Sequence, residues 1–229
     1  RYIGDWSSDV CSSDLFVDAA VKTTIKLRVI GRTQQLLRID FENQPTDDAL
    51  LAKLDEFERV VSDHDVVVFS DYGKGGLTHI PRMIAAARAA GRRVLVDPKG
   101  SEYARYRGAH IITPNRAELR EVVGRWADEA ELTTKAQALR RDLGLEALLV
   151  TRSEEGMSLY GEGSTLNVPT VAREVFDVSG AGDTVIATMA AALAAGASLE
   201  DAVRLSNQAA GIVVGKLGTA VVTADELFA

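Results

Sequence analysis

The sequence predicts an α/β fold: a mostly parallel central sheet covered by helices on both faces, with a small β hairpin lid outside that sheet. Short, continuously apolar segments alternate with longer amphipathic segments along most of the chain, which is typical of parallel strands joined by helical crossovers. Two earlier segments alternate polar and apolar residues, which is the pattern of a hairpin. The 229 residues are 46% hydrophobic and 26% charged, which is enough apolar content for a sizeable core.

Composition and charge exclude several classes of function. The 26 Lys and Arg residues against 33 Asp and Glu residues give a formal net charge of −7, so we expect no nucleic-acid partner. Cys11 is the sole cysteine, which excludes an intramolecular disulfide or a Cys-based zinc site, and none of the three histidines has a metal-binding spacing. The longest uncharged run, between Asp183 and Glu200, is shorter than the ~20 strongly apolar residues of a membrane span. No secretory signal is visible, so we expect a cytoplasmic protein without a membrane partner.

Residues 1–15 differ from the rest of the chain. They show no helical or strand period, start without a methionine, and place Trp6 among serines and aspartates. Residues 10–15 back-translate into a DNA sequence that resembles the end of a common sequencing adapter. We therefore predict that residues 1–15 are a non-native segment and that residues 16–229 form the domain, the alternative being a natural disordered tail.

The first predicted elements are the two strands of the hairpin, at residues 23–30 and 35–41, joined by a turn at 31–33. We interpret residues 23–42 as a lid or a dimer contact and expect a homodimer. A helix follows, which Thr46 can cap and whose first turn carries two aspartates that suit the positive end of the helix dipole. Its predicted apolar stripe consists of Leu50, Leu51, Leu54, Phe57, Val60 and Val61.

The remaining segments alternate between strands and helices. Strands are predicted at residues 65–70, 93–96, 109–113, 147–151, 157–160 and 165–168. Helices are predicted at residues 80–90, 116–123, 133–143, 181–195 and 199–216.

Polar or glycine-containing loops follow four successive strands of this pattern. Because ligands of open parallel sheets bind beyond the carboxyl ends of the strands, these loops predict a shared site. Turns also favour Gly, Asp, Asn and Pro, so each loop by itself is a weak signal. The loops are residues 70–75, 97–100, 113–115 and 151–153.

The most informative segment is residues 177–184, where Gly180, Ala181 and Gly182 lead into an alanine-rich helix. Small residues let a ligand approach the backbone, and the free N–H groups of a helix N-terminus bind an anion. Asp183, in the first turn, is placed to take a proton from a hydroxyl that attacks phosphorus. The alternative is that Asp183 only caps the helix and that the glycines serve close packing.

Residues 177–183 resemble the carboxy-terminal signature of the ribokinase-like (PfkB) family of sugar kinases, D-[TV]-[TS]-G-A-G-D, and residues 115–118 match its N-x-x-E motif. The resemblance implies a ribokinase-like fold, ATP and Mg²⁺ as cofactors, Asp183 as catalytic base, and an anion hole made by Gly180, Ala181 and Gly182. Glu118 is implied to hold Mg²⁺ indirectly, through water. The residues implied to bind the nucleotide are Asn115, Arg116, Ala117, Glu118, Thr151, Arg152, Ser153, Gly156, Asn207 and Gly211.

A narrower resemblance connects the chain to those members of the family that phosphorylate a heptose 7-phosphate. It implies ATP-dependent transfer to the anomeric hydroxyl of D-glycero-β-D-manno-heptose 7-phosphate, which gives the 1,7-bisphosphate used to make ADP-heptose for the lipopolysaccharide core. The segments that carry it are residues 24–42, 70–75, 96–100 and 211–219. The substrate contacts that it favours, each of which could instead be a solvated turn residue, are Asp71, Lys74, Asp97 and Lys99.

The resemblance begins after residue 20, so the sequence shows no counterpart of the family's amino-terminal part or of its first glycine-rich signature. It also shows no counterpart of the nucleotidyltransferase half to which the family is often fused. We therefore expect the 229-residue chain to be inactive or nearly so. A version in which a family-type segment replaces residues 1 to about 15, here called the extended version, should be active because the acceptor would then be positioned. The alternatives are another sugar kinase of the family or a non-catalytic nucleotide-binding module. A dehydrogenase is disfavoured because no G-x-G-x-x-G follows a strand.

Overall fold

The structure of the protein is a computed structural model that describes residues 22–31, 34–172 and 175–229. The segment predicted to be non-native, residues 1–15, lies outside the described residues, and so do residues 32 and 33 of the predicted hairpin turn. The structure therefore tests the predicted fold from residue 22 onward.

The hairpin forms a two-stranded antiparallel sheet of its own, built from β1 (Ile25–Gly31) and β2 (Gln34–Phe41). Directly paired residues share one face of such a sheet, and three apolar pairs occupy the same face. This face, here called the apolar face, consists of Ile25, Leu27, Val29, Leu37, Ile39 and Phe41. Each of these side chains is between 37% and 60% exposed. So much exposed apolar surface on one side favours contact with another surface.

Within the described residues, the central sheet has six strands that lie side by side in chain order. They are β3 (Val66–Ser70), β4 (Arg93–Asp97), β5 (Ile111–Ile112), β6 (Ala147–Thr151), β7 (Met157–Gly161) and β8 (Ser164–Val168). The first four are parallel, and the last two are antiparallel to their neighbours. The antiparallel end follows from the connections, since the turns at residues 152–156 and 162–163 are too short for a crossover. The predicted mostly parallel sheet with a separate hairpin is confirmed.

The described part of the chain also forms seven α-helices, five of which begin at a side-chain cap. Thr46 caps the first of them as predicted, accepting the Ala49 N–H at 3.3 Å. The fourth begins at Glu129 rather than at the predicted residue 133, because Asp128 accepts the Glu131 N–H at 2.8 Å. The helices are α1 (Asp47–Val60), α2 (Ile80–Ala89), α3 (Arg116–Val123), α4 (Glu129–Leu143), α5 (Ala181–Ala194), α6 (Leu199–Val214) and α7 (Ala224–Leu227).

The sheet divides the core into two layers. In β4, Val94 and Val96 face the layer that the sheet forms with α1 to α4, whereas Leu95 faces the layer formed with α5 and α6. All three side chains are completely buried. Helices therefore cover both faces, as predicted, and the carboxyl ends of the strands are the part of the sheet where a ligand can bind.

Some elements differ from the sequence prediction. β5 is shorter than the predicted 109–113, and at its carboxyl end Pro114 has no N–H with which to continue the ladder. Leu51 is 45% exposed, because it lies about 100° around α1 from the buried Leu50. α7 and the 3₁₀ turn Tyr103–Tyr106 each span one turn, which is too short to show an apolar period. No helix in the described ranges is long and apolar enough to cross a membrane.

Candidate active site

A cavity of about 380 Å³, here called the first cavity, opens where the carboxyl end of β6 meets the beginning of α5 and the second half of α6. Seven residues predicted to contact a ligand line it: Thr151, Ser153, Gly156, Ala181, Gly182, Asn207 and Gly211. The apolar part of its wall includes Met157, Val175, Val178, Val185, Ala210 and Val214. A largely apolar wall beside a helix N-terminus suits a ligand that has both an apolar and an anionic part.

Two glycines of the first cavity are required by close contacts. Gly156 has a φ of +87°, and a Cβ there would lie 2.1 Å from the carbonyl oxygen of Val168. A Cβ on Gly211 would lie 2.6 Å from Cγ2 of Val171. Both glycines therefore let the segment after β8 pack closely against the rest of the cavity wall.

Asn207 and Ser153 have local constraints of their own. The Asn207 side-chain amide donates to the carbonyl oxygen of Pro169 at 2.8 Å, which fixes its orientation in the wall. Ser153 has a φ of +54°, and among the described residues it is the one non-glycine residue with a positive φ. Strained backbone of this kind concentrates at binding sites, and Ser153 lines the first cavity.

The N-terminus of α5 forms one side of the first cavity. Gly180 precedes the helix in the left-handed conformation, with a φ of +80°, and no described side chain caps the helix. Ala181 N–H donates to the carbonyl oxygen of Val178 at 3.2 Å, whereas the described residues offer no acceptor to the N–H groups of Gly182 and Asp183, which are left for water or a ligand. Beyond its own helix backbone and chain neighbours, a Cβ on Gly182 would meet no atom of the described ranges within 4 Å, so open space lies over the backbone there. Free donors beside open space fit an anion such as a phosphate group.

Asp183 follows Gly182 in the first turn of α5 and is exposed. The Tyr72 hydroxyl donates to Oδ1 of Asp183 across 3.3 Å. Tyr72 lines a second cavity, of about 460 Å³, between the base of the hairpin and the loop after β3. Asp183 therefore stands between the two cavities, where its carboxylate can take a proton from a ligand in one while an anion is held in the other.

The predicted substrate residues Asp71 and Lys74 line the second cavity, but each already has a partner. Asp71 accepts the Gly73 N–H through Oδ1 and the Tyr106 O–H through Oδ2, both at 2.8 Å, and its side chain is 4% exposed. Lys74 forms an ion pair with Glu42 at the base of the hairpin. Asp71 thus holds its own loop in place, and Lys74 links that loop to the hairpin.

At the neighbouring strand end Asp97 is the last residue of β4 and Lys99 follows it. Nζ of Lys99 lies 2.9 Å from Oε1 of Glu118. The pKa of Asp97 is raised to about 6, first by burial and then by the carboxylates of Glu118, Asp183 and Asp71, against which Lys99 acts. Carboxylates gathered with so little compensating charge fit a hard cation such as Mg²⁺. No three such side chains in the part of the chain described here are close enough to hold a metal ion by themselves.

The predicted N-x-x-E residues form the beginning of α3. Asn115 Oδ1 accepts the N–H groups of Ala117 and Glu118 at 2.9 and 3.0 Å, and Oε2 of Glu118 accepts the Asn115 N–H at 3.0 Å. This capping box fixes the Glu118 carboxylate beside the strand ends. Arg116 pairs with Glu155. As far as the described residues define the wall of the first cavity, it does not include these four motif residues.

The structure does not bring Arg152 into the first cavity, in contrast to the prediction. Its side chain is 9% exposed and donates to both carboxylate oxygens of Glu129 at 2.7 Å. It also donates to Oγ of Ser158 at 3.0 Å and pairs with Glu155. Arg152 therefore connects the start of α4 to β7, and its position after a strand end is a structural one.

The sequence matches the family described as pfkB family carbohydrate kinase over residues 7–225. The chain belongs to the pfkB family of carbohydrate kinases. The resemblance carried by residues 177–183 and 115–118 is thereby confirmed. The match overlaps residues 7–15, and the boundary at residue 15 stays a prediction.

Two relatives show how much of the family protein this pfkB chain spans. It is 56% identical over 215 residues to D-beta-D-heptose 7-phosphate kinase of Bordetella bronchiseptica, which covers 94% of this chain and 69% of that protein. It is 57% identical over 206 residues to bifunctional protein HldE of Pseudomonas aeruginosa, which covers 90% of this chain and 43% of that protein. The chain thus spans less than half the length of this bifunctional relative.

Solved structures of other kinases share the fold. Ribokinase from Thermotoga maritima superposes with a TM-score of 0.72 at 21% identity, covering 91% of this chain and 69% of that one. Arabidopsis thaliana ribokinase, solved with ribose and ATP, gives a TM-score of 0.69 at 21% identity, covering 86% and 65%. These likenesses confirm the predicted ribokinase-like fold.

The raised pKa of Asp97 predicts a pH-dependent stability of this pfkB-family protein. The folded state holds the Asp97 proton more tightly than the unfolded chain does, so ionising Asp97 lowers the free energy of unfolding. This loss grows as the pH rises from about 4 to about 6 and has reached its full size at higher pH. Asp97→Asn should therefore melt at a higher temperature than wild type near pH 7.5, and at the same temperature near pH 4. Thermal unfolding without Mg²⁺ or nucleotide measures this, and equal melting temperatures at both pH values would contradict it.

Two tyrosines of the site are absent from the sequence prediction. Tyr72, which contacts Asp183, lies in the glycine-rich loop at residues 70–75 that the sequence singles out, so the loop signal could have found it. Tyr106 bonds to Asp71 from 35 residues away, and no local pattern connects the two.

Proposed function

We propose that the protein transfers the γ-phosphoryl group of ATP to the anomeric hydroxyl of D-glycero-β-D-manno-heptose 7-phosphate, giving the 1,7-bisphosphate. The observation that carries this proposal is the placement of Asp183, which follows Gly182 of the first cavity and lies 3.3 Å from the Tyr72 hydroxyl of the second. The 56% identity to a heptose 7-phosphate kinase supports the choice of sugar. The proposal includes a cytoplasmic location and a role for the product in making ADP-heptose.

In this proposal ATP occupies the first cavity. The apolar wall packs against the adenine, with Asn207 and Gly211 beside it, and the phosphates extend toward the N-terminus of α5 at Gly182. The volume of about 380 Å³ lies within the usual range of ~300–1,000 Å³ for small-molecule sites.

The sugar phosphate occupies the second cavity. Lys26 and Lys74 both line that cavity and supply positive charge for the phosphate group of the substrate. The side chain of Lys74 is 39% exposed, so it can exchange Glu42 for a phosphate without first being uncovered. Asp97 and Lys99, at the adjacent strand end, complete the acceptor side of the site.

Asp183 acts as the general base. It takes the proton from the anomeric hydroxyl while the hydroxyl oxygen forms its bond to the γ-phosphorus, and the bond from that phosphorus to the bridging oxygen of ADP breaks. The N–H groups of Gly180 and Gly182 hold the negative charge of the transferred group, and that of Ala181 joins them only by exchanging the Val178 carbonyl oxygen for the ligand. Glu118 would hold Mg²⁺ through water, and the ion would supply further charge neutralisation at the phosphates.

An ADP-release assay with Mg²⁺ and ATP tests this function on the 229-residue chain and on the extended version, over a panel of free and phosphorylated sugars. We expect heptose 7-phosphate to give the highest kcat/KM of the panel. A higher value with another sugar would replace the substrate but keep the kinase. Stabilisation by ATP without turnover on any sugar would instead favour a non-catalytic nucleotide-binding module.

We further propose that the apolar face of the hairpin is the contact of a homodimer. Leu27→Asp places a charge in the middle of that face, so it should shift the protein from dimer to monomer. Arg28→Asp changes the next residue, on the opposite face of the same strand, and should leave the dimer intact. Light scattering after size exclusion gives the masses, and a dimer that persists in Leu27→Asp would contradict this contact.

A further inference from the structure

One buried phenol joins the two loops that carry the predicted substrate contacts. Tyr106 is completely buried in the 3₁₀ turn before β5, and its hydroxyl donates to Oδ2 of Asp71 at 2.8 Å. The same hydroxyl oxygen accepts the backbone N–H of Lys99 at 3.1 Å. It also lies 3.2 Å from the Lys99 carbonyl oxygen. A single side chain therefore contacts the loop after β3 and the loop after β4.

We propose that Tyr106 is a positioning residue that sets the spacing of these two loops and thereby places the acceptor sugar for the transfer. The proposal rests on the proposed kinase function. Asp71, held by Tyr106, also accepts the N–H of Gly73, so the phenol fixes the turn that presents Tyr72 to Asp183. On the other side it fixes the backbone of Lys99.

The chemistry of the phenol suits this role. Burial is the main cause that raises the pKa of Tyr106 to about 12, so the hydroxyl keeps its proton and stays a donor at neutral pH. Its acceptor is a carboxylate that is itself 4% exposed, and a hydrogen bond to a charged group in such surroundings is among the stronger ones. Removing the hydroxyl would take away the hydrogen bond to Oδ2 of Asp71 and leave that buried oxygen with the Arg105 guanidinium, 3.6 Å away, as its partner.

Tyr103 provides a matched control within the same turn. It is 2% exposed, and its ring packs edge-on against that of Tyr106 with the centroids 5.6 Å apart. Its hydroxyl oxygen, in contrast, has no hydrogen-bond partner among the described residues. Tyr103→Phe and Tyr106→Phe therefore remove the same atom from the same buried turn, but only the second removes bonds between the loops.

The experiment compares the two variants with wild type by hydrogen exchange without substrate and by kinetics. Tyr106→Phe should raise amide exchange in residues 71–76 and 97–100, and its kcat/KM for the sugar phosphate should fall about tenfold or more. KM for ATP should stay within about twofold of wild type, because the first cavity does not depend on the phenol. Tyr103→Phe should resemble wild type in every measurement.

Equal behaviour of the two variants, or a loss in Tyr106→Phe that affects ATP and sugar alike, would overturn the positioning role while the proposed function stands. If wild type, including its extended version, phosphorylates no sugar, it is the proposed function that fails. In that case hydrogen exchange still tests whether Tyr106 holds the loops after β3 and β4 together. Unchanged amide exchange of both loops in Tyr106→Phe would show that it does not.

Discussion

Replacing Asp183 by asparagine is expected to lower kcat by about 10²–10⁴-fold, the usual cost of removing a general base. The amide nearly matches the carboxylate in shape, and Asp183 is exposed in the first turn of α5, so the fold should not change. ATP binding should also remain close to wild type, because the N–H groups at Gly182 are still present. Steady-state kinetics, in whichever of the 229-residue chain and the extended version turns over, give kcat, and calorimetry gives the ATP affinity.

Asp201 offers the matched control for Asp183→Asn. It is an exposed acid in the first turn of the neighbouring helix α6 and has no proposed role in the transfer. Asp201→Asn therefore measures the effect of losing a negative charge at a helix N-terminus by itself. We expect activity close to wild type in Asp201→Asn. If Asp183→Asn also stayed within about threefold of wild type, Asp183 would only complement the dipole of α5 and would not be the base.

Gly182→Val is expected to remove both nucleotide affinity and phosphoryl transfer. Apart from its chain neighbours and the backbone of α5, no atom of the described residues lies within 4 Å of the position that a Cβ would take, so there is room for the larger side chain. That side chain occupies the space over the α5 backbone in which the phosphates are proposed to bind, and it blocks access to the N–H donors. Losing such donors typically costs about 10²–10³-fold in kcat.

The contrast between folding and binding makes the Gly182→Val result specific. Ala187→Val, on the exposed side of the same helix, controls for the general effect of a β-branched side chain in α5. Both variants should melt within a few degrees of each other, but only Gly182→Val should lose stabilisation by Mg-ATP in a thermal shift. Normal ATP stabilisation and normal kinetics in Gly182→Val would mean that the phosphates bind elsewhere.

Much of the fold follows from local chemistry and was therefore predictable. α3 has the predicted bounds because Asn115 and Glu118 form a capping box at its start and Gly124 ends it with a φ of +76°. β6 has the predicted bounds because its apolar run is continuous and ends at Thr151. The first cavity was predictable for a related reason, since small residues at strand and helix ends mark a close approach of backbone to ligand.

Residues whose role depends on a distant partner were harder to predict. Arg152 and Asp71 both lie in polar loops that follow strands. A residue at such a position can face either a ligand or the rest of the protein, and the sequence position is the same in both cases. Arg152 instead donates to Glu129 at the start of α4, and Asp71 accepts from Tyr106, which lies 35 residues along the chain. Pairings over such distances are set by tertiary packing, and a single sequence does not show them.

The position of the transferred phosphoryl group tests the proposed reaction most directly. Heptose 7-phosphate, Mg²⁺, ATP and the extended version are incubated together and the products are followed by phosphorus NMR. The proposed function predicts a new phosphorus resonance coupled to the anomeric proton, while the resonance of the 7-phosphate persists and one ADP forms for each bisphosphate. A new phosphate at any other carbon, or consumption of ATP that does not depend on the sugar, would contradict it.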